Sequence, residues 1–308
     1  MFLLVTPAYN EAENAEALVE CVRRSTLRPD RWIVVDDRST DGTGQRFLDV
    51  AGDLPIEVVP SGTTGGYMGF RYSEVVRAGV AAAGSDGENP TLFGILDCDI
   101  RFDANYWQDL ADALRSDTGL GILSGALCSP DETGAMRLEK GQYVHLPRGG
   151  LRLVSGACFA AIGGVARSRA PDSVMNAKAI TSGFRIGMLE HIVAWSVRPT
   201  DSRGSDEEGW QSRGRRAWNV GQPGWQVAVR AAAMSTRGRL GEGRALLSGY
   251  LDERKEGPRI DDADVLRYYR RMRPLEWGKS LRARLAGAED PHRELAPRVV
   301  QLPSDEAS

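Results

Sequence analysis

The stretch Asp97-Cys98-Asp99 closes an apolar run from Thr91 to Leu96, and a buried strand has little reason to finish in two carboxylates unless a cation is met there. Side chains alternate along a strand, so this spacing sets Asp97 and Asp99 on one side and Cys98 on the other. Like charges crowded at a sheet edge are unfavourable unless one is protonated or a cation lies between them. Paired hard oxygens suit Mg²⁺ or Mn²⁺. Taken alone, the pair reads equally well as solvated loop acids. Two more polar clusters end apolar strands. Thr6-Pro7-Ala8-Tyr9-Asn10-Glu11 follows Phe2 to Val5, and Asp36-Asp37 closes Trp32 to Val35, with Arg38-Ser39-Thr40-Asp41-Gly42-Thr43 behind it as turn and helix N-cap residues.

The elements that must position these clusters alternate. Ala15, Leu18, Val19 and Val22 share one helical face, and strand- and helix-like segments follow in turn at 56–59, 72–83, 91–96 and 106–114. This order predicts an α/β fold with a mostly parallel sheet flanked by helices. Ligands of such sheets bind beyond the carboxyl ends of the strands, where all three clusters lie, so a single site is expected.

In this order and spacing, TPAYNEAEN (6–14), VDDRSTDGT (35–43) and LDCD (96–99) resemble the nucleotide-sugar half of the family 2 glycosyltransferases, whose GT-A fold is Rossmann-like; the resemblance covers residues 1 to about 198. It implies a nucleoside held by the backbone around Pro7, Ala8 and Tyr9 and by the side chain of Asp37, with Glu11 and Cys98 in the same lining. It implies Asp97 near the ribose and Asp99 on the divalent metal, Mn²⁺ or Mg²⁺, that bridges the two phosphates. A metal there stabilises charge developing on the departing phosphate. Arg71 stands where related enzymes often have a basic residue near the nucleotide, and reads equally as a solvated arginine at a helix start. Gly62, Gly65, Gly66 and Gly69 would let a loop approach phosphate through its amides, or simply form a surface loop.

The acceptor half departs from the family pattern in two places. Pro171-Asp172, a helical stretch and Gly183-Phe184-Arg185-Ile186 are similar to the family's acidic pair, helix and G-aromatic-R-I arrangement. This implies Asp172 as the catalytic base of a single displacement with inversion. Pro171 replaces the first acid of the pair, and an N-cap role for Asp172 after proline is the rival account. Where many relatives carry a histidine, this chain has Trp195-Ser196; Arg198 and Arg203 would then supply positive charge to the diphosphate, leaving the metal to Asp99, phosphates and water. A hairpin is expected within 126–154, with 151–154 and Gly156-Ala157-Cys158 returning the chain to the sheet and Gly163-Gly164 forming a turn.

Past Arg198 the charged stretch 201–216 reads as a lid or a plain connector. Residues 226–250 and 260–287 read as helices, the second carrying Arg267, Arg270, Arg271, Arg273, Arg282 and Arg284. A solvated basic face is the default there, and an acidic membrane surface or polyanionic acceptor the sharper alternative. The stretch from Glu289 reads as a loose tail. The expected organisation is a GT-A domain over 1–225 (nucleotide-binding half 1–124, acceptor half 125–225), a helical C-terminal extension over 226–288 and a flexible tail over 289–308.

A chain of 308 residues, 42% hydrophobic, can bury one large α/β core with a helical appendage, and its net charge of −3 excludes an overall polycation. Its 39 basic residues include only four lysines. Cys21, Cys98, Cys128 and Cys158 lack metal-ligand spacing and read as buried thiols. No window approaches the ~20 apolar residues of a membrane helix, and the first core strand follows Met1 almost at once, so neither span nor signal peptide is expected and the location expected is cytoplasmic. The reading is a metal-dependent, inverting glycosyltransferase that uses a UDP-sugar, with a GDP-sugar as the other donor, on a hydroxyl acceptor of unknown identity. The alternatives are a non-catalytic nucleotide-sugar or glycan-binding protein on a degenerate GT-A scaffold, or a nucleotidyltransferase. Against the last stands the lack of a glycine- and arginine-rich loop after Phe2 to Val5. Nucleic-acid binding through the arginine-rich helix would show steep salt dependence and is disfavoured.

Overall fold

The computed structural model describes residues 1–64, 70–198, 206–296 and 298–300. The N-terminal part alternates β1 (Phe2–Ala8), α1 (Ala12–Arg24), β2 (Arg31–Asp36), α2 (Thr43–Val50), β3 (Ile56–Pro60), α3 (Arg71–Ala82), the short α4 (Ser85–Glu88) and β4 (Leu92–Leu96). Period-two alternation decides its layering. Phe2 and Leu4 of β1 join Leu18 and Val22 of α1 in one core, while Leu3 and Val5 join Val75 and Val76 of α3 in the other. Buried parallel strands are apolar on both faces for this reason, and each such side chain contributes roughly 1.5–3 kcal/mol.

The second part runs β5 (Ile100–Phe102), α5 (Tyr106–Ser116), β6 (Leu120–Pro130), β7 (Met136–Leu138), β8 (Leu151–Ser155), α6 (Gly156–Ile162), α7 (Pro171–Thr181) and β9 (Arg185–Ser196). The sheet order is β3-β2-β1-β4-β8-β6-β9-β5, with β7 paired to β6. The expectation of a mostly parallel sheet needs correcting. β3, β2, β1 and β4 are parallel, but β8 is antiparallel to both β4 and β6, and β5 is antiparallel to β9. The sheet is mixed because β8 follows β6 and β7 without the crossover helix that parallel pairing needs, whereas β9, reached through α6 and α7, lies parallel to β6. It also curls. Only residues 97–99 separate β4 from β5, and that link spans at most roughly 14 Å, whereas the four spacings between these strands in a flat sheet come to roughly 19 Å.

The hairpin expected within 126–154 is β6–β7, turned at Asp131-Gly134, and β8 does return to the sheet. Gly156-Ala157-Cys158, expected in the sheet, instead opens α6, which Ser155 caps. Gly163 and Gly164, with φ of 69° and 73°, make the turn after it. The helices after the sheet are α8 (Asp206–Asn219), α9 (Gly224–Ser235), α10 (Leu240–Glu256), α11 (Ala263–Arg267), a π turn (Tyr268–Met272) and α12 (Arg273–Leu285), so the helical C-terminal extension begins ahead of the expected boundary at 226. The charged stretch read as a lid or connector is thus helical from Asp206 on, and 199–205, including Arg203, lie outside the described residues. Tyr268 and Tyr269 pack with Val174 and Ala177 of α7. The tail expected to be loose is packed at 289–296 and 298–300. Leu295 is 3% exposed against Cys128, Leu138 and Trp195, and Val299 bridges to Arg137. Among the described residues no helix is long and apolar enough to cross a membrane.

Candidate active site

The loops after β1 and β2 are tied to each other before any ligand is considered. Asn10 and Arg38 adopt left-handed backbone (φ 53° and 64°), a conformation asparagine tolerates and arginine does not favour. Asn10 Oδ1 accepts from Thr40 N at 2.8 Å, the amides of Glu11 and Ala12 donate to Thr43 Oγ1 (2.8 Å) and Asp41 Oδ2 (3.0 Å), and Asp36 Oδ1 accepts from Ser39 N at 2.9 Å. Much of the Arg38 to Thr43 block therefore holds loops in place. Gly44 is required by the same arrangement, since a Cβ there would lie 2.8 Å from Asp36 Oδ2.

This frame presents Asp37. Its backbone amide donates to Ala8 O at 2.8 Å, and its carboxylate accepts from Ser61 Oγ and Thr63 Oγ1, each at 2.7 Å, and from Arg71 Nε. Burial alone would raise the Asp37 carboxyl pKa, but the bonds from Arg71, Thr63 and Ser61 and the Arg71 charge more than reverse it, so it stays below its ordinary value. Arg71 is buried, not solvated at a helix start, and its guanidinium also lies 4.9 Å from the Tyr9 ring centroid. Beside this cluster opens a cleft of about 490 Å³, floored by Val58, Val59 and Pro60 and bordered by Asp36, Arg38 and Ser61 to Thr63. Gly62 (φ 63°) lies on its rim; Gly65, Gly66 and Gly69 lie outside the described residues.

The Asp97-Cys98-Asp99 segment is a turn, with Ile100 N donating back to Asp97 O at 3.3 Å. β4 stops at Leu96, so strand alternation does not orient the two acids, and they meet different partners. Asp97 Oδ1 accepts from Tyr72 OH at 3.0 Å. Burial, then the Asp97 charge, pushes the Tyr72 hydroxyl pKa well up, which keeps it a donor. Asp99 Oδ2 lies 3.5 Å from Arg198 Nη2, the same nitrogen that donates to both carboxylate oxygens of the buried Glu11 at 2.6 and 2.8 Å. Cys98 is 2% exposed, its thiol pKa raised by burial and by the neighbouring acids, and it donates to Pro7 O at 3.6 Å. Its side chain thus joins the end of β1 to the turn.

Arg198 reaches this position because β9 runs alongside β5. Ser196 opposes Ile100, Val197 N donates to Asp99 O at 3.0 Å, and Ser196 Oγ binds the backbone of Arg198 on both sides. Ser196 therefore orients an arginine. Among the described residues no group of three or more His, Cys, Asp or Glu side chains could hold a metal. Asp99, part-exposed and already facing a cation, fits as a single protein oxygen in a shell completed by phosphate and water.

Two adjacent glycines connect this turn to Asp172. A Cβ on Gly150 would lie 1.9 Å from Asp97 Oδ2, while one on Gly149 would meet Asp172 Oδ2 at 3.6 Å, so the two acids flank one backbone step. The N-cap account of Asp172 is overturned. Ala170 occupies the cap and Asp172 sits in the first turn of α7, where a carboxylate is favoured by the helix dipole. Beneath it lies Arg152, 0% exposed, donating to Arg148 O, Pro147 O and Asn176 Oδ1 at 2.9–3.1 Å. Burial lowers its pKa, while the charges of Asp172, Tyr72 and Asp97 oppose that shift. Tyr269 of the π turn packs with Val174 and Ala177 of α7, and burial, with the Asp172 charge adding to it, raises its hydroxyl pKa. Sequence reasoning missed Tyr72, Arg152, Tyr269 and the two glycines. Only Arg152 left a signal, as a charge inside the apolar run Leu151 to Val154.

The comparisons agree with this architecture. The Glycosyl transferase family 2 profile matches residues 3–166, more than half of the chain. No curated protein gives a significant match. Among solved structures, the mannosyltransferase PcManGT from Pyrobaculum calidifontis, in complex with GDP-Man and Mn²⁺, is 14% identical with a TM-score of 0.53, covering 92% of this chain and 83% of that one. S. aureus TarS 1-349 in complex with UDP-GlcNAc is also 14% identical, with a TM-score of 0.51, covering 92% and 77%. At such identities the likeness concerns the fold. With its family match spanning the three strand-end clusters, the chain belongs to glycosyl transferase family 2 and is a glycosyltransferase.

Proposed function

We propose that this glycosyltransferase binds a nucleoside diphosphate sugar across the ends of β1, β2 and β4 and transfers the sugar with inversion to a hydroxyl acceptor, using a divalent cation. The observation that carries the reading is the Gly149-Gly150 step, which brings Asp172 and Asp97 against adjacent residues. The nucleoside lies in the cleft beside Asp37, Tyr9 and Arg71, with Pro7, Ala8 and Glu11 behind it, and Asp97 reaches the ribose. UDP is the favoured nucleotide and GDP the other candidate. Asp172 takes the proton from the acceptor hydroxyl, whose oxygen forms a bond to the anomeric carbon as the bond to the diphosphate oxygen breaks on the opposite face. Arg198, held by Glu11 and Asp99, sets positive charge beside the leaving diphosphate. Asp99 would hold a Mn²⁺ or Mg²⁺ ion, which would supply Lewis-acid stabilisation of the same charge.

Titration calorimetry of UDP and GDP, with and without Mn²⁺, tests the reading. One nucleotide is expected to bind in a metal-dependent manner, more weakly to Asp99→Asn and unchanged to Asp172→Asn, whose sugar transfer falls by roughly 10²–10⁴-fold. Binding of neither nucleotide would leave a degenerate scaffold as the better account.

A further inference from the structure

Helix α12 carries an apolar ridge that the fold leaves outside. Leu275, Trp277, Leu281 and Leu285 are 67%, 37%, 58% and 80% exposed. Trp277, Leu281 and Leu285 follow at i, i+4 and i+8 and so form one stripe along the helix. The protein-facing side is elsewhere. Ser280 is buried on Asp290, and Glu276 accepts from Tyr268 OH at 3.1 Å. Arg282 borders the ridge on one flank and Arg284 on the other, about 100° and about 60° from its centre at Leu281 at 3.6 residues per turn, with Lys279 beyond Arg282. Arg270 and Arg271 precede the helix in the π turn. Arg270, Arg271, Lys279 and Arg282 pair with no carboxylate among the described residues, whereas Arg284 binds Asp290. The chain as a whole has a net charge of −3, so this cationic end is a local asymmetry.

We propose that α12 docks on an anionic lipid bilayer, lying in the interface with Leu281 and Leu285 inserted and Trp277 at headgroup level. A narrow apolar ridge bordered by a cationic flank without a carboxylate partner is the arrangement of an interfacial helix, and Arg270, Arg271, Lys279 and Arg282 find their counter-charge in anionic headgroups. The inference is independent of the nucleotide chemistry above.

The test is sedimentation of the full chain with vesicles of phosphatidylcholine alone and of phosphatidylcholine with phosphatidylglycerol in two-to-one proportion. Binding is expected to the mixed vesicles, to weaken with added salt, and to fall about tenfold or more in Leu281→Glu, Leu285→Glu and Arg282→Glu. These positions are exposed, so thermal unfolding of the variants should match that of the parent, which separates lost docking from lost folding. The proposal is overturned if the parent stays in the supernatant with anionic vesicles, if Leu285→Glu sediments like the parent, or if the ridge instead mediates a dimer that Leu285→Glu dissociates without any vesicle binding.

Discussion

Asp37 and Arg71 form the best-buried ion pair of the site, with side chains 7% and 6% exposed. A buried carboxylate is tolerated only with its lone pairs filled, and Ser61, Thr63 and Arg71 fill them here. The resulting downward pKa shift is also a statement about stability. Because the folded carboxyl titrates below its unfolded value of about 3.9, its contribution is complete above that pH and fades as pH falls through the folded value. Asp37→Asn leaves Arg71 buried without its partner and is expected to cost about 3 kcal/mol at neutral pH. The mutant should lose less additional stability than the parent as pH drops below about 4. Urea midpoints measured across that range check this; parallel pH profiles for the two proteins would show that the pair contributes nothing.

At the scale of elements, the segment before β8 lies between the Asp97 turn and the first turn of α7, and its glycines differ sharply in what they tolerate. Gly150 faces Asp97 with no room for a Cβ, while Gly149 meets Asp172 at ordinary contact distance. Gly150→Ala is expected to move the Asp97 turn, destabilise the protein by roughly 1–3 kcal/mol and weaken nucleotide binding, whereas Gly149→Ala leaves both nearly unchanged. Equal calorimetric behaviour of the two variants would count against the shared backbone step. Sequence could not have distinguished these glycines, because the demand comes from a residue more than fifty positions away. The three strand-end clusters were legible, since each follows a local apolar run and period-two alternation is a local signal. The Asp97 turn was misread as strand because alternation extends a run past the point where pairing stops. Arg198 was named as a source of charge for the diphosphate, but its seat on Glu11, 187 residues earlier, depends on the curl of the mixed sheet.

For the whole molecule, residues 289–296 and 298–300 fasten β6, β7 and β9 to α12. Asp290 holds Ser280 and Arg284 of α12, Arg293 pairs with Glu190 of β9, and Leu295 is sealed against β6, β7 and β9. Its carbonyls at Arg293 and Arg298 accept from Val144 N (3.2 Å) and Leu138 N (3.0 Å). A chain ending at Ala288 would re-expose Leu295's partners and orphan both amides. Burying one leucine contributes roughly 1.5–3 kcal/mol and each net hydrogen bond about 1 kcal/mol, while release of the segment returns some chain entropy. The expected net loss is therefore about 2–3 kcal/mol, read as a lower urea midpoint. Hydrogen exchange locates the effect. The amides of Leu138 and Val144 should exchange much faster in the truncated chain, while those of β1 and β2, buried in the far half of the sheet, keep their protection relative to global unfolding. Unchanged exchange at Leu138 and Val144 would mean that the tail rests on the surface without fastening it.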